Sequence, residues 1–216
     1  MLSIYNYMAL ALGVTGVAAL ATAYFAQSNP AVAQALYASP LRWVIMFAPL
    51  AFVLVLSFGI NKLKTGTAQM LFWAFAAVMG VSMSWIFMVF TSGSIVQTFF
   101  ITAAAFGSLS LYGYTTKRNL SGMGSFLLMG LIGLILASLA NLFFQSSAMQ
   151  FAINVIGVLI FAGLTVYDTQ RLKNEYDIIA GNTAAMARAS LMGALSLYLN
   201  FINMFMFLLQ FLGNRE

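Results

Sequence analysis

The strongest constraint on this chain is a series of seven apolar stretches, 6–27, 41–61, 69–91, 95–116, 123–146, 148–170 and 189–212, separated by charges, prolines and Gly/Ser/Asn clusters. About 20 apolar residues suffice for a helix to cross a bilayer, and each stretch reaches that length. A transmembrane barrel would need segments of about ten residues with alternating polarity, a pattern absent here. With 62% hydrophobic and 6% charged residues and a mean hydropathy of +0.96, the sequence predicts an all-α integral membrane protein of one seven-helix domain over 1–216. The connections are short, so successive helices are expected to be antiparallel neighbours, with no room for a soluble domain.

Charge then reports topology. A net +5 on a soluble domain would suggest nucleic acid, but here the basic residues stand in short clusters between apolar stretches, and no nucleic-acid partner is expected. Lys62, Lys64, Lys117, Arg118, Arg171, Lys173 and Arg188 fall on the side shared with the N-terminus, and only Arg42 and Arg215 fall opposite, seven against two. The expected topology has the N-terminus in the cytoplasm and the C-terminus outside, in a bacterial inner membrane. Ala19-Leu20-Ala21 and Ala21-Thr22-Ala23 imitate signal-peptide cleavage sites. No basic residue precedes the first apolar run, however, and that run is longer than a signal core, so it is expected to remain as a span.

The last stretch is unusually polar for its place. Ser196, Asn200, Asn203 and Gln210 are spaced by four, three and seven residues, which puts them on one helical face. An unpaired amide in hydrocarbon costs several kcal/mol, so this helix is expected to be surrounded by others. The fifth stretch carries Gly130, Leu134, Ser138, Asn141 and Gln145, and the sixth Asn154, Gly157, Phe161, Thr165 and Asp168, at similar steps. Most of these read as packing contacts between helices. Tyr24, Trp43, Tyr112 and Tyr114 fit an interfacial aromatic belt, and Pro49 predicts a kink in the second span.

Among the four acids, Asp168, Glu175, Asp177 and Glu216, only Asp168 falls within an apolar stretch. An embedded acid by default marks an ion or proton pathway; the structural alternative is a helix-end anchor paired with Arg171. With the helix ends as drawn, a rise of about 1.5 Å per residue puts Asp168 roughly 5–8 Å and Asn200 roughly 12–16 Å inside the cytoplasmic boundary. Enzyme classes find little support. There is no His to act as base for a serine and no Cys, the last span has no Lys for a Schiff base, and an aspartyl protease needs a second embedded acid. The expectation is a non-enzyme without a cofactor. A secondary transporter would suit an embedded Asp, but an inverted repeat is not evident.

Three runs carry a resemblance: LYGYTTKRNLSGMGSF at Leu111–Phe126, GVLIFAGLTVYDTQRLKN at Gly157–Asn174 and GALSLYLNFINMF at Gly193–Phe205. Together they resemble the bacterial branch of the transmembrane Bax inhibitor motif family, and the resemblance extends over essentially the whole chain. It implies six helices around a central seventh. It also implies a calcium-permeable, pH-sensitive leak, with calcium and protons as the ions handled, or a non-conducting membrane protein acting on a membrane protease or stress and quality-control complex. Family members often pair two aspartates on the cytoplasmic side of a pore; the first maps onto Asp168 and the second onto Asn200. The resemblance thus implies Asp168 as a calcium or proton site, with Asn200, Asn203, Ser196, Arg171 and Lys62 as pore or pH-sensing partners. Lys62 and Lys64 stand nearest to where some relatives have an arginine, without its bidentate fork.

Two adjacent carboxylates share a proton and so make a pH switch, whereas Asp beside Asn lacks that repulsion. The pH response is therefore expected to be weakened or displaced. An amide keeps an oxygen but loses a charge, so calcium affinity is expected to fall. For a partner-recruiting protein the one sizeable candidate surface is the cytoplasmic loop 169–187, whose charges Arg171, Lys173, Glu175 and Asp177 read first as a solvated face.

Overall fold

The computed structural model of the chain describes every residue except Asn61, Ala180 and Glu216. It is 88% helical, with no strand among the described residues. Among the described residues, seven helical segments are long and apolar enough to cross a membrane: Leu2–Ser28, Leu41–Gly59, Thr65–Val89, Ser92–Thr115, Ser121–Phe144, Ser147–Ile178 and Ala185–Leu212. In chain order the α-helices are α1 (Leu2–Ser28), α2 (Pro30–Ala33), α3 (Leu41–Gly59), α4 (Thr65–Met83), α5 (Ile86–Val89), α6 (Ser92–Thr115), α7 (Ser121–Phe144), α8 (Ser147–Ile178) and α9 (Thr183–Leu212), with a π-helical turn at Gln34–Ala38. The span read as 41–61 ends at Asn61, which lies outside the described residues.

Two compact units are present. The first comprises Met1–Phe90 and Ile179–Leu195, and within it α1 packs on α4, which also packs on α3. Small residues set the α1–α4 approach: a Cβ at Gly80 would lie 2.4 Å from the Thr15 carbonyl oxygen. The buried Thr15 hydroxyl donates to the Ala76 carbonyl at 2.8 Å, supplying the polar contact that such close helices permit in lipid. Pro49 does lie inside α3, where its ring removes one backbone donor.

The second unit comprises Thr91–Ile178 and Ser196–Arg215. Within it α6 and α7 both pack on α8. Gly113 brings α6 against α8, its missing Cβ position lying 2.4 Å from the Val166 carbonyl oxygen. One turn away Ser110 and Thr169 share a hydroxyl hydrogen bond at 3.0 Å.

Three boundaries differ from the sequence reading. α6 begins at Ser92, because Thr91 caps it by accepting from the Ser94 amide, so Ser92-Gly93-Ser94 forms its first turn. Gln145 lies past the end of α7 in left-handed backbone, φ 48°, and so leaves the helical stripe expected to include it. The largest difference is that α8 runs on to Ile178 and α9 starts at Thr183. Most of the expected loop 169–187 is therefore helix.

Candidate functional site

The longer α8 repositions its acid. Ile178 is ten residues on from Asp168, so Asp168 lies nearly three turns from the helix end, about 15 Å by helical rise. The depth gap expected between Asp168 and Asn200 closes: the Asn200 Nδ2 donates to Asp168 Oδ2 at 2.8 Å, and the Ser196 hydroxyl donates to the same oxygen at 3.1 Å. Ser196 and Asn200 are four apart on α9, so one helical face delivers both donors. On the other carboxylate oxygen, Oδ1, Arg171 forms an ion pair at 2.9 Å from one turn along α8. The readings of Asp168 as a paired helix residue and as the partner of Asn200 thus both describe the same carboxylate.

Burial and pairing account for one another here. Asp168 is 7% exposed and Asn200 5%, while the Arg171 side chain is 48% exposed. Three donors meet the one carboxylate, which offsets the cost of burying its charge. Arg171 Nη2 also lies 3.5 Å from the Ser196 oxygen, at the outer limit of a hydrogen bond, and its guanidinium stands 6.0 Å from the Tyr167 ring centre. Arg171 therefore covers the cluster from its more open side.

The carboxylate lines a cavity of about 630 Å³. Asp168, Ser196, Asn200 and Asn203 form its polar part, and α7 side chains such as Leu134, Ile135 and Leu139 form much of its apolar wall. Asn203 lines this space but does not reach Asp168; its Nδ2 donates to the Leu199 carbonyl of its own helix at 2.8 Å. Ser138, whose hydroxyl donates to the Leu134 carbonyl at 2.8 Å, is the polar contribution of α7. Lys62 belongs to the other unit, in the turn after α3, where its backbone amide donates to the Gly59 carbonyl at 2.8 Å.

Two glutamines were not singled out in the sequence reading. Gln170 accepts from the Leu120 amide at 3.0 Å and donates to the Arg118 carbonyl at 2.8 Å, pinning the α6–α7 connection to the helix that carries Asp168. Lys173 adds a contact to the Tyr114 carbonyl at 3.0 Å. At the other end of α8, Gln150 joins three amides flagged by their stripes: it accepts from Asn141 at 3.0 Å and donates to Asn154 at 2.9 Å and Gln210 at 3.1 Å. The four-residue step from Gln150 to Asn154 was the available signal. Among the described residues, no group of three or more His, Cys, Asp or Glu side chains could share a metal ion.

Fold and site together define a multi-pass helical membrane protein in which, among the described residues, one buried, fully paired carboxylate lines a largely apolar cavity. The family model for the inhibitor of apoptosis-promoting Bax1 matches residues 1–216, and the chain belongs to that Bax inhibitor family. An uncharacterised protein of Caulobacter vibrioides is 50% identical over 226 residues, covering all of this chain and 89% of its own length. A Rickettsia prowazekii protein, also uncharacterised, is 48% identical over 216 residues, with 100% and 89% covered. The inner membrane protein YbhL of Escherichia coli K12 is 46% identical over 218 residues, with 100% and 92% covered. With its seven apolar helices, the chain is a multi-pass inner membrane protein.

Proposed function

We propose that the protein is a calcium-permeable leak in the inner membrane whose control point is Asp168, and that it is neither an enzyme nor dependent on a cofactor. The observation that carries this reading is a carboxylate held by Arg171, Ser196 and Asn200 in the lining of a cavity of about 630 Å³. A single carboxylate with all its strong donors inside the protein makes a poor resting calcium site, since calcium takes six to eight oxygen ligands. An arriving cation must displace Arg171, so the ion pair acts as the closed state of the path. We place the cluster on the cytoplasmic side, from the seven-to-two distribution of basic residues, with the N-terminus inside and the C-terminus outside.

Asn200 sets the pH behaviour in this reading. Its Nδ2 sits 2.8 Å from Asp168 Oδ2, so the carboxylate introduced by Asn200→Asp would face Asp168 at contact distance. Two such groups cannot both ionise cheaply, and a shared proton would then couple the pair to pH. The Asp168–Asn200 pair lacks this coupling, and flux should vary with pH less steeply than in the Asn200→Asp variant.

Protein in liposomes loaded with a calcium dye tests the proposal. Wild type should leak calcium, Asp168→Asn should reduce the rate by about tenfold or more, and Asn200→Asp should steepen the difference between acidic and neutral pH. Flux equal to empty liposomes for all three proteins would overturn the channel and favour a non-conducting partner of a membrane protease or stress complex. The extent of α8 to Ile178 and of α9 from Thr183 weighs against a recruiting loop there.

A further inference from the structure

Among the described residues, the first unit holds cations and no acid. Its described residues include Arg42, Lys62, Lys64 and Arg188 and no Asp or Glu. Arg188, on the first turns of α9, points a guanidinium Nη2 at the Leu63 carbonyl oxygen, 3.5 Å away, and its Nε is buried without a hydrogen-bond partner. Among the described residues Arg188 makes no ion pair. Leu63 is flanked by Lys62 and Lys64, both exposed. The Arg188 guanidinium thus reaches the backbone of a turn that carries two exposed lysines, and it is only weakly satisfied there.

That turn has a defined depth. It joins α3, ending at Gly59, to α4, beginning at Thr65, and both helices are long and apolar enough to span. A connection this short between two spans lies where a bilayer places its phosphates. Phe58, 81% exposed and in the last turn of α3, adds an apolar surface one turn before it in the chain. Guanidinium groups match the planar, bidentate geometry of phosphate oxygens, and clustered basic residues next to spans attract anionic lipids.

We propose that Arg188, Lys62 and Lys64 form a binding site for the phosphate of an anionic phospholipid headgroup, with the acyl chains lying along Phe58. Arg188, itself partly exposed, turns its guanidinium to the phosphate, while the covered Nε stays against the protein. A free phosphate shares the charge but not the apolar contact, and the bilayer presents the lipid at high local concentration. This site is independent of whether the protein conducts calcium.

Native mass spectrometry of the detergent-purified full chain tests the site, with phosphatidylglycerol and phosphatidylcholine supplied in equal amounts. Wild type should retain phosphatidylglycerol about tenfold in preference, and Arg188→Gln/Lys64→Gln should lose most of that preference. Lys117→Gln/Arg118→Gln removes the same charge from the second unit and should leave the preference within about twofold. Should Arg188→Gln not yield monodisperse protein, Lys62→Gln/Lys64→Gln, confined to exposed side chains, should still lower the preference several-fold. Equal retention of both lipids by wild type, or equal loss in the Lys117/Arg118 control, would overturn the proposal. So would displacement of the lipid by an equal concentration of glycerol phosphate, which would mark a simple anion site.

Discussion

At the residue scale, Asp168 has three partners, and each should fail differently when removed. Arg171 is half-exposed, and in the proposed leak it would compete with an incoming cation, so Arg171→Gln should raise calcium flux several-fold in liposomes while leaving the Ser196 and Asn200 hydrogen bonds in place. If flux falls instead, Arg171 is part of the conducting path rather than its plug. Asn200→Ala removes a buried donor from a carboxylate that Ser196 still serves, at a cost of about 1 kcal/mol, read as a fall of a few degrees in the thermal unfolding midpoint in detergent. Much of this chemistry was legible beforehand, because a lone acid in an apolar run and a striped amide are conspicuous against lipid. Arg171 was legible as a partner by its three-residue spacing. Gln170 and Gln150 were not, since a glutamine pinning a connection and a glutamine idle on a surface have the same local sequence.

At the element scale, glycine positions distinguish tight helix contacts from loose ones. A methyl at Gly113 would meet the Val166 carbonyl at 2.4 Å, a backbone atom that cannot rotate away, and Gly113→Ala should destabilise the α6–α8 pair by about 1–3 kcal/mol. Gly107, on the same helix, has nothing within 4 Å of its Cβ position, so Gly107→Ala should be neutral or stabilise by up to about 1 kcal/mol. Thermal unfolding of the two variants side by side checks the contrast; equal effects would show that helix propensity outweighs packing. The same scale explains the misplaced end of α8. Arg171, Lys173, Glu175 and Asp177 mark the end of the apolar run, but a helix needs only its backbone bonds and tolerates charges spaced four apart, as in Arg171 with Glu175 and Lys173 with Asp177. Hydropathy locates lipid, and the helix continued beyond it.

At the scale of the whole molecule, the charge distribution makes a prediction about orientation. Because the chain has no cysteine, single cysteines placed at Lys117 and Ser146 report sidedness without background. A membrane-impermeant thiol reagent applied to intact spheroplasts should label the Ser146 position and spare the Lys117 position. The reverse pattern would invert the topology and move Asp168 to the outer side. α9 passes through both compact units, giving its first half to one and Ser196 onward to the other. It is also the most buried span: 61% of its apolar window is buried, against 11% for α3 and α7. A helix so placed can carry amides, because protein rather than lipid covers them.

The sequence by itself determined the class of the protein: seven apolar stretches, helical because lipid leaves backbone groups no other partner, and a single acid among them. It also determined which face of α9 must be covered, since polarity at helical spacing is a local property. Only the tertiary structure decided that Asn200 reaches Asp168, that Arg171 shares the same carboxylate and that Asn203 turns back on its own helix. Those outcomes depend on where α8 ends and how far it slides along α9. Register between helices is set by side chains distant in sequence, and a single chain read in order does not contain it.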